Sequence, residues 1–240
     1  MKIKLLGKNL DDIRRELKNF PIEEVETGFD FIITHGGDGA LLGAEREYPG
    51  IPKFALRDAA TAPTCSRHSL HTLLDDFCNG RLEISELPKL EAKCSSGTLT
   101  AVNDLFLHNL ERCSALRYQV AIDGEIYAKE VLGDGACMAS VHGSTAYYRS
   151  ITRSIFRVGI GLAFSNSTEE PDHLVLDSSS TVELTVIRGP GIVIADNSPV
   201  QLPVQVGETV TFRQSDRKAY ICGLDTFMCQ DCRKLRHQKL

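Results

Sequence analysis

Phe29-Asp30-Phe31-Ile32-Ile33-Thr34-His35-Gly36-Gly37-Asp38-Gly39-Ala40 is the stretch on which the fold turns. Residues 29–34 form an apolar, β-prone run of the kind buried on both faces of a parallel sheet. A glycine-rich turn follows, then a helix from Ala40 to Glu47 that Pro49-Gly50 halts. Upstream, Lys2–Leu6 reads as a short strand. Asn9 is positioned to cap a helix through Phe20, with Leu10, Ile13, Leu17 and Phe20 on one face and Pro21 as its stop. Downstream, Ile51–Leu56 is a third strand, and Ser69–Cys78 is a third helix ending at Asn79-Gly80. Strand and helix alternating in this way imply a parallel sheet with helices on its faces.

Beyond about residue 88 the texture changes. Thr98–His108, Leu116–Ile122, Ala136–Val141, Thr181–Arg188, Gly191–Ala195 and Thr209–Arg213 are short β-branched runs separated by turn residues, and Asp123-Gly124 suits a hairpin turn. Only the end of the chain is helical again. The expected fold is α/β plus all-β. A small Rossmann-like α/β domain spans 1–90 and is completed by 216–240, and a β-rich, sandwich-like domain spans 91–215.

With 42% hydrophobic and 25% charged residues, the composition is that of a folded globular chain. A net charge of −5 argues against a protein that wraps nucleic acid, while leaving room for a local basic pocket. No apolar run reaches the roughly 18–20 residues needed to span a bilayer, and the opening Met1–Gly7 is too short in apolar residues for a signal peptide. The expected address is the cytoplasm, with the eight dispersed cysteines reduced.

Three constellations carry chemistry. Gly36-Gly37-Asp38-Gly39 lies between a buried strand and a helix, where glycines allow a phosphate to approach the backbone and helix-start N–H groups favour anions. A carboxylate inside such a loop makes sense as a base for a hydroxyl nucleophile or as a Mg²⁺ ligand; otherwise it is a capping Asp in a tight turn. Gly37-x-Gly39-x-x-x-Gly43 with Asp58 at the next strand end is a loosened dinucleotide fingerprint, which would make the chain an oxidoreductase, but no further βα units follow. Asn103-Asp104 interrupts an apolar strand, which implies a partly buried polar pair suited to ribose hydroxyls and adenine nitrogens, or else a bulge or a satisfied strand-end pair. Finally, Gly133-Asp134-Gly135 leads through small residues to Gly143-Ser144-Thr145-Ala146-Tyr147, where a flat base could sit under the aromatic ring; a plain turn followed by a core Tyr is the other reading.

Taken in order, these pieces resemble the NAD kinases, whose motifs are a Gly-Gly-Asp-Gly loop, a strand with Asn-Glu or Asn-Asp, and an Asp-Gly strand leading to Gly-Ser-Thr-Ala-Tyr. Gly-Gly-Asp-Gly alone is shared with lipid kinases and phosphofructokinases; the combination is far more specific. Phe227–Leu240 is also similar to that family's closing helix. The resemblance implies that Asp38 activates the 2′-hydroxyl of the adenosine ribose of NAD, with Gly36, Gly37 and Gly39 lining the phosphate loop. Asn103 and Asp104 would bind the dinucleotide, with Asp134 toward the nicotinamide. Ser144, Thr145, Ala146 and Tyr147 would surround adenine and its ribose. It further implies ATP with Mg²⁺, or polyphosphate, as donor, and a homodimer or homotetramer.

The match fails in three places, one of them His142, where the family has a small polar residue or Pro before the Gly of Gly143-Ser144-Thr145-Ala146-Tyr147. Leu56–Cys65 lacks both glycines of the family's Asn-x-Gly-x-Leu-Gly-Phe loop, and Gly-Gly-Pro-Ile after Tyr147 is replaced by Arg149–Arg157. Donor or acceptor recognition is therefore open to drift toward another nucleoside or a small hydroxylated acceptor, or toward dinucleotide binding without catalysis. Retention of Asp38 argues against the last, since a carboxylate near phosphates gives a pure binder nothing. Arg57, Arg149, Arg153 and Arg157 are candidate phosphate contacts, set against a merely solvated basic face. Cys222, Cys229, Cys232 and His237 have a spacing compatible with tetrahedral zinc, although Cys229 and Cys232 on one helix turn are equally ordinary thiols; the primary expectation is no resident metal.

Overall fold

The computed structural model describes residues 1–111, 113–168 and 172–237, with 236 and 237 described as backbone. The chain divides into two compact units, Met1–Leu87 with Ala219–Leu240, and Pro88–Lys218.

The first unit is built in chain order from β1 (Lys2–Gly7), α1 (Leu10–Leu17), β2 (Glu23–Glu24), β3 (Phe31–Gly36), α2 (Asp38–Glu47), β4 (Lys53–Arg57) and α3 (Leu70–Cys78). Its strands are parallel in the order β2-β1-β3-β4. Ile3, Leu5, Ile33, Phe54 and Leu56 of the sheet pack with Ile13 and Leu17 of α1 and Leu73, Leu74 and Phe77 of α3, and Phe54 stacks on Phe77 at 4.6 Å. Completely buried Lys53 pairs with Glu45 of α2 and donates to the Tyr48 carbonyl, which ties α2 to β4. A buried charge of this kind survives only because it is paired and hydrogen-bonded.

Two expectations at helix starts need correction. Asn9 does not cap α1: it adopts a left-handed conformation, and its Nδ2 donates instead to Asp58 Oδ2 at 2.6 Å. Helix α2 begins at Asp38 rather than Ala40, so Asp38 and Gly39 lie in its first turn. Ser69 does cap α3, its Oγ accepting from Thr72 N at 3.1 Å. Ser69→Ala should cost about 1 kcal/mol, read as a lower urea midpoint with unchanged slope.

The second unit is antiparallel. Its strands are β5 (Ile84–Cys94), β6 (Gly97–Ala101), β7 (Asp104–Asn109), β8 (Leu116–Ile122), β9 (Glu125–Gly133), β10 (Gly135–Ala139), β11 (Ile160–Ser165), β12 (His173–Leu176), β13 (Val182–Arg188), β14 (Gly191–Ala195), β15 (Gln201–Val204) and β16 (Thr209–Cys222), with the short helix α4 (Tyr147–Thr152) after β10. One sheet has the order β12-β11-β10-β7-β14-β15. The other brings together the hairpins β5-β6 and β8-β9 with β13 and β16. Leu105, Leu107, Met138 and Leu162 from the first meet Tyr118, Val120, Leu184 and Phe212 from the second in one sandwich core. Asp123 and Gly124 both have positive φ, 53° and 83°, which is the turn that joins two twisted strands in register.

The stretch expected as one strand from Thr98 to His108 is broken at residues 102–103. The Asp196 carboxylate accepts the N–H groups of Val102, Asn103 and Asp104 at 2.8, 2.8 and 3.2 Å, and this turns the chain through a corner. Strand β16 outruns its expected end at Arg213 because Ser215-Asp216-Arg217-Lys218 hides a continuing ladder. Its last residues, Ile221 and Cys222, pair in parallel with Lys53 and Phe54. Helices α5 (Leu224–Phe227) and α6 (Gln230–His237) complete the first unit. The expected closing residues Lys239 and Leu240 lie outside the described residues. Among those described, no helix is long and apolar enough to cross a membrane.

Candidate functional site

In the first unit, register pairs Gly36 at the end of β3 with Arg57 at the end of β4, which sets a cation beside the glycine loop. Gly36 has φ +148° and an added Cβ would press on Ala40, so glycine is required where the strand turns into α2. Gly37 is extended and faces Arg57, and Gly39 continues the first turn of α2. Arg57 Nη2 donates to Asp38 Oδ1 at 3.1 Å and Nη1 to Oδ2 at 3.4 Å, a two-pronged pair. The Arg57 side chain is 11% exposed and that of Asp38 59%. The guanidinium lies 3.6 Å from the centroid of the Phe227 ring, while its buried Nε has no partner. Phe227 fixes the plane of the fork, and no local pattern in the sequence pointed to it.

Asp58 is only 4% exposed. Its Oδ2 takes Asn9 Nδ2 and its Oδ1 accepts Ala60 N at 3.0 Å, so it serves the loop and is not presented as the ribose acid of a dinucleotide fingerprint. A cavity of about 220 Å³ opens beside it, lined by His35, Arg57, Ala59, Thr64 and His68 among others.

In the second unit, one face of β7 and β10 points away from the sandwich core. Phe106, Cys137 and Ala139 lie there, covered by Tyr148 and Phe156. The Tyr147 ring sits 5.3 Å from Phe106 and remains 44% exposed, an aromatic surface open on one side. The Asn-Asp corner and the Gly-Ser-Thr-Ala-Tyr turn are brought together by backbone contact. A Cβ on Gly143 would stand 1.9 Å from the Asn103 carbonyl oxygen, and Ser140 donates from its N–H to that same oxygen at 2.9 Å.

Two acceptors meet at this corner. The buried Asn103 Oδ1 has no partner. Burial, and then the Asp196 carboxylate, push the Asp104 carboxyl up to about 7, with the Tyr147 backbone N–H pulling the other way. A station of two acceptors beside an aromatic ring suits a ligand with hydroxyl or amino hydrogens and a flat ring. Ser144 is buried, and its Oγ donates to the Phe156 carbonyl at 3.1 Å. Thr145 is exposed, and the Ala146 N–H closes the turn onto the Gly143 carbonyl. Asp134 lies at the opposite end of the β7–β10 pairing from Asp104, its Oδ2 accepting from Asn166 Nδ2 at 2.6 Å.

Arg149, Arg153 and Arg157 are exposed, and they form no helical stripe because α4 ends at Thr152 and Arg153 turns left-handed at φ 59°. Cys222 is buried in the core with Ile33, Phe54 and Phe77, where burial pushes its thiol up to about 11. It is not grouped with Cys229 and Cys232, which lie instead with Cys65 and His68. The side chain of His237 lies outside the described residues.

No family model matches the chain. An NAD kinase of Enterobacter sp. (strain 638) is 27% identical over 220 residues, covering 84% of this chain and 74% of the relative. An Escherichia coli O1:K1 / APEC NAD kinase is 28% identical over 217 residues with the same coverages. Among solved structures, an NAD kinase from Archaeoglobus fulgidus in complex with ATP superposes with a TM-score of 0.77 at 19% identity, over 98% of this chain and 99% of that one. Yeast NADH kinase complexed with NADH gives 0.75 at 16% identity, over 93% and 83%. The α/β unit, the β-rich unit and the returning C-terminal segment are the fold of these kinases.

Proposed function

We propose that this chain, a divergent member of the NAD kinase family, transfers the γ-phosphoryl group of MgATP to the 2′-hydroxyl of NAD's adenosine ribose, giving NADP and ADP. The observation that carries the reading is the Asp38–Arg57 pair at the glycine-opened start of α2: a carboxylate able to take a hydroxyl proton, beside a fork that matches phosphate oxygens. In the reaction the 2′-oxygen bonds to the γ-phosphorus, the bond from that phosphorus to the β–γ bridging oxygen breaks, and the hydroxyl proton passes to Asp38. The carboxylate is paired with Arg57 at rest. A phosphate group competing for the guanidinium would release Asp38 as a base only when donor is bound. Asn103 and Asp104 accept from ligand hydroxyl or amino hydrogens, and the Tyr147 ring stacks on a base.

The test is incubation with MgATP and NAD, reading NADP with an NADP-specific dehydrogenase. Formation of NADP supports the reading. Dinucleotide binding without NADP sends the acceptor or donor elsewhere and implicates the altered loops at 57–65 and 149–157. Arg57→Lys keeps the charge and loses the fork, so KM for MgATP should rise roughly tenfold, the scale of one charge-assisted hydrogen bond. An unchanged KM in an ATP titration would remove Arg57 from donor binding. A cytoplasmic homodimer or homotetramer is the further expectation, and light scattering tests the assembly.

A further inference from the structure

We propose that Cys65, His68, Cys229 and Cys232 hold one zinc ion in a tetrahedral site of three sulfurs and one nitrogen, which fastens the loop after β4 to the chain's last helix. The four ligand atoms lie within 4.8 Å of one another, with Cys232 buried and the other three half-buried. His68 Nδ1 stands 3.5 Å from Cys65 Sγ and 3.4 Å from Cys232 Sγ. Zinc bonds of about 2.3 Å to sulfur and about 2.0–2.1 Å to nitrogen, set at tetrahedral angles, place nitrogen and sulfur roughly 3.6 Å apart. The two nitrogen–sulfur edges from His68 match that figure.

The backbone is arranged as a zinc site requires. Cys65-Ser66-Arg67-His68 and Cys229-Gln230-Asp231-Cys232 each present two ligands separated by two residues, the spacing with which one turn chelates zinc. Each turn is closed by its own backbone, His68 N donating to the Cys65 carbonyl and Arg233 N to the Cys229 carbonyl, both at 3.0 Å. The N–H of Cys65 donates to Cys232 Sγ at 3.3 Å, a contact that stabilises a thiolate and orients it. Arg67 Nη2 pairs with Asp231 at 2.8 Å and joins the two turns a second time beside the anionic cluster. Soft thiolates with one imidazole select zinc over the hard cations that accompany nucleotides, and four protein ligands leave no open position, so the role is structural. The fastened segments flank Arg57, since the loop begins at Asp58 and the Phe227 ring under the guanidinium immediately precedes the second turn.

Full-length protein, expressed with zinc and purified without chelator, should carry about one zinc per chain by elemental analysis. X-ray absorption should report three sulfur neighbours and one nitrogen. Cobalt exchanged into the site should show the thiolate-to-cobalt charge-transfer absorption of a tetrahedral complex. Cys65→Ser and His68→Ala should lose the metal, whereas His237→Asn and Cys78→Ser should keep it. Should the loss variants fail to fold, the wild type still decides. With zinc bound, Cys65, Cys229 and Cys232 resist alkylation while exposed Cys113 reacts, and chelation opens all three. Less than about a tenth of an equivalent of metal, a donor set without three sulfurs, or zinc retained in Cys65→Ser would overturn the assignment.

Discussion

Asp38→Asn should leave the fold and dinucleotide affinity intact and lower NADP formation by at least about 100-fold, the scale of a lost general base. Asn has the shape of Asp but cannot take the hydroxyl proton. The side chain is 59% exposed and packs into no core, so little stability is at stake. Its charge in the first turn of α2 contributes about 0.3–1 kcal/mol through the helix dipole, and a thermal midpoint should move only slightly. The variant also frees the Arg57 fork, so KM for MgATP should hold or fall while kcat collapses. That split separates loss of a base from loss of donor binding. Turnover near the wild-type rate would place the base elsewhere.

The sequence was most informative where physics is local. A six-residue strand with apolar side chains on both faces, followed at once by glycines, fits few places other than the middle of a parallel sheet, and β3 runs into α2 accordingly. What sequence reading missed was decided by partners far along the chain. Asn9 has the chemistry of a cap, but Asp58 captures its amide from 49 residues away. Asn103-Asp104 read as a strand because nothing nearby shows that Asp196 will gather three successive N–H groups there. In the cysteine cluster, Cys229-x-x-Cys232 was visible, but sequence proximity joined it to Cys222 and His237. The other half, Cys65-x-x-His68, lies some 160 residues earlier and had an equally visible spacing that only the fold connects. Phe227 under Arg57 has no sequence signal at all, because an aromatic ring near a chain end specifies no partner.

At the Asn-Asp corner, the largest electrostatic consequence should appear as a pH dependence. Asp104 has an ordinary value of 3.8, and burial and Asp196 push it up to about 7. The folded chain therefore keeps a proton that the unfolded chain releases. Stability on this account is full below about pH 4 and is lost as pH rises through 7. At about 1.4 kcal/mol per unit, the charge costs up to roughly 4 kcal/mol at pH 8, of which about 2–3 kcal/mol develops between pH 5 and 8. Asp104→Asn removes the charge and should be more stable than wild type, with a gap that widens by that amount over the interval in urea unfolding. Ligand hydroxyls reverse the sign, because a carboxylate that receives donors favours its charged form. NAD binding should thus release a proton, and its apparent Kd should fall up to about tenfold per pH unit from 5 to 7, then level. In Asp104→Asn that slope should vanish even where affinity survives. Parallel pH profiles in the two proteins would show that Asp104 does not hold the dinucleotide. A widening stability gap with no binding slope would make it only a buried strain at the corner that Asp196 folds.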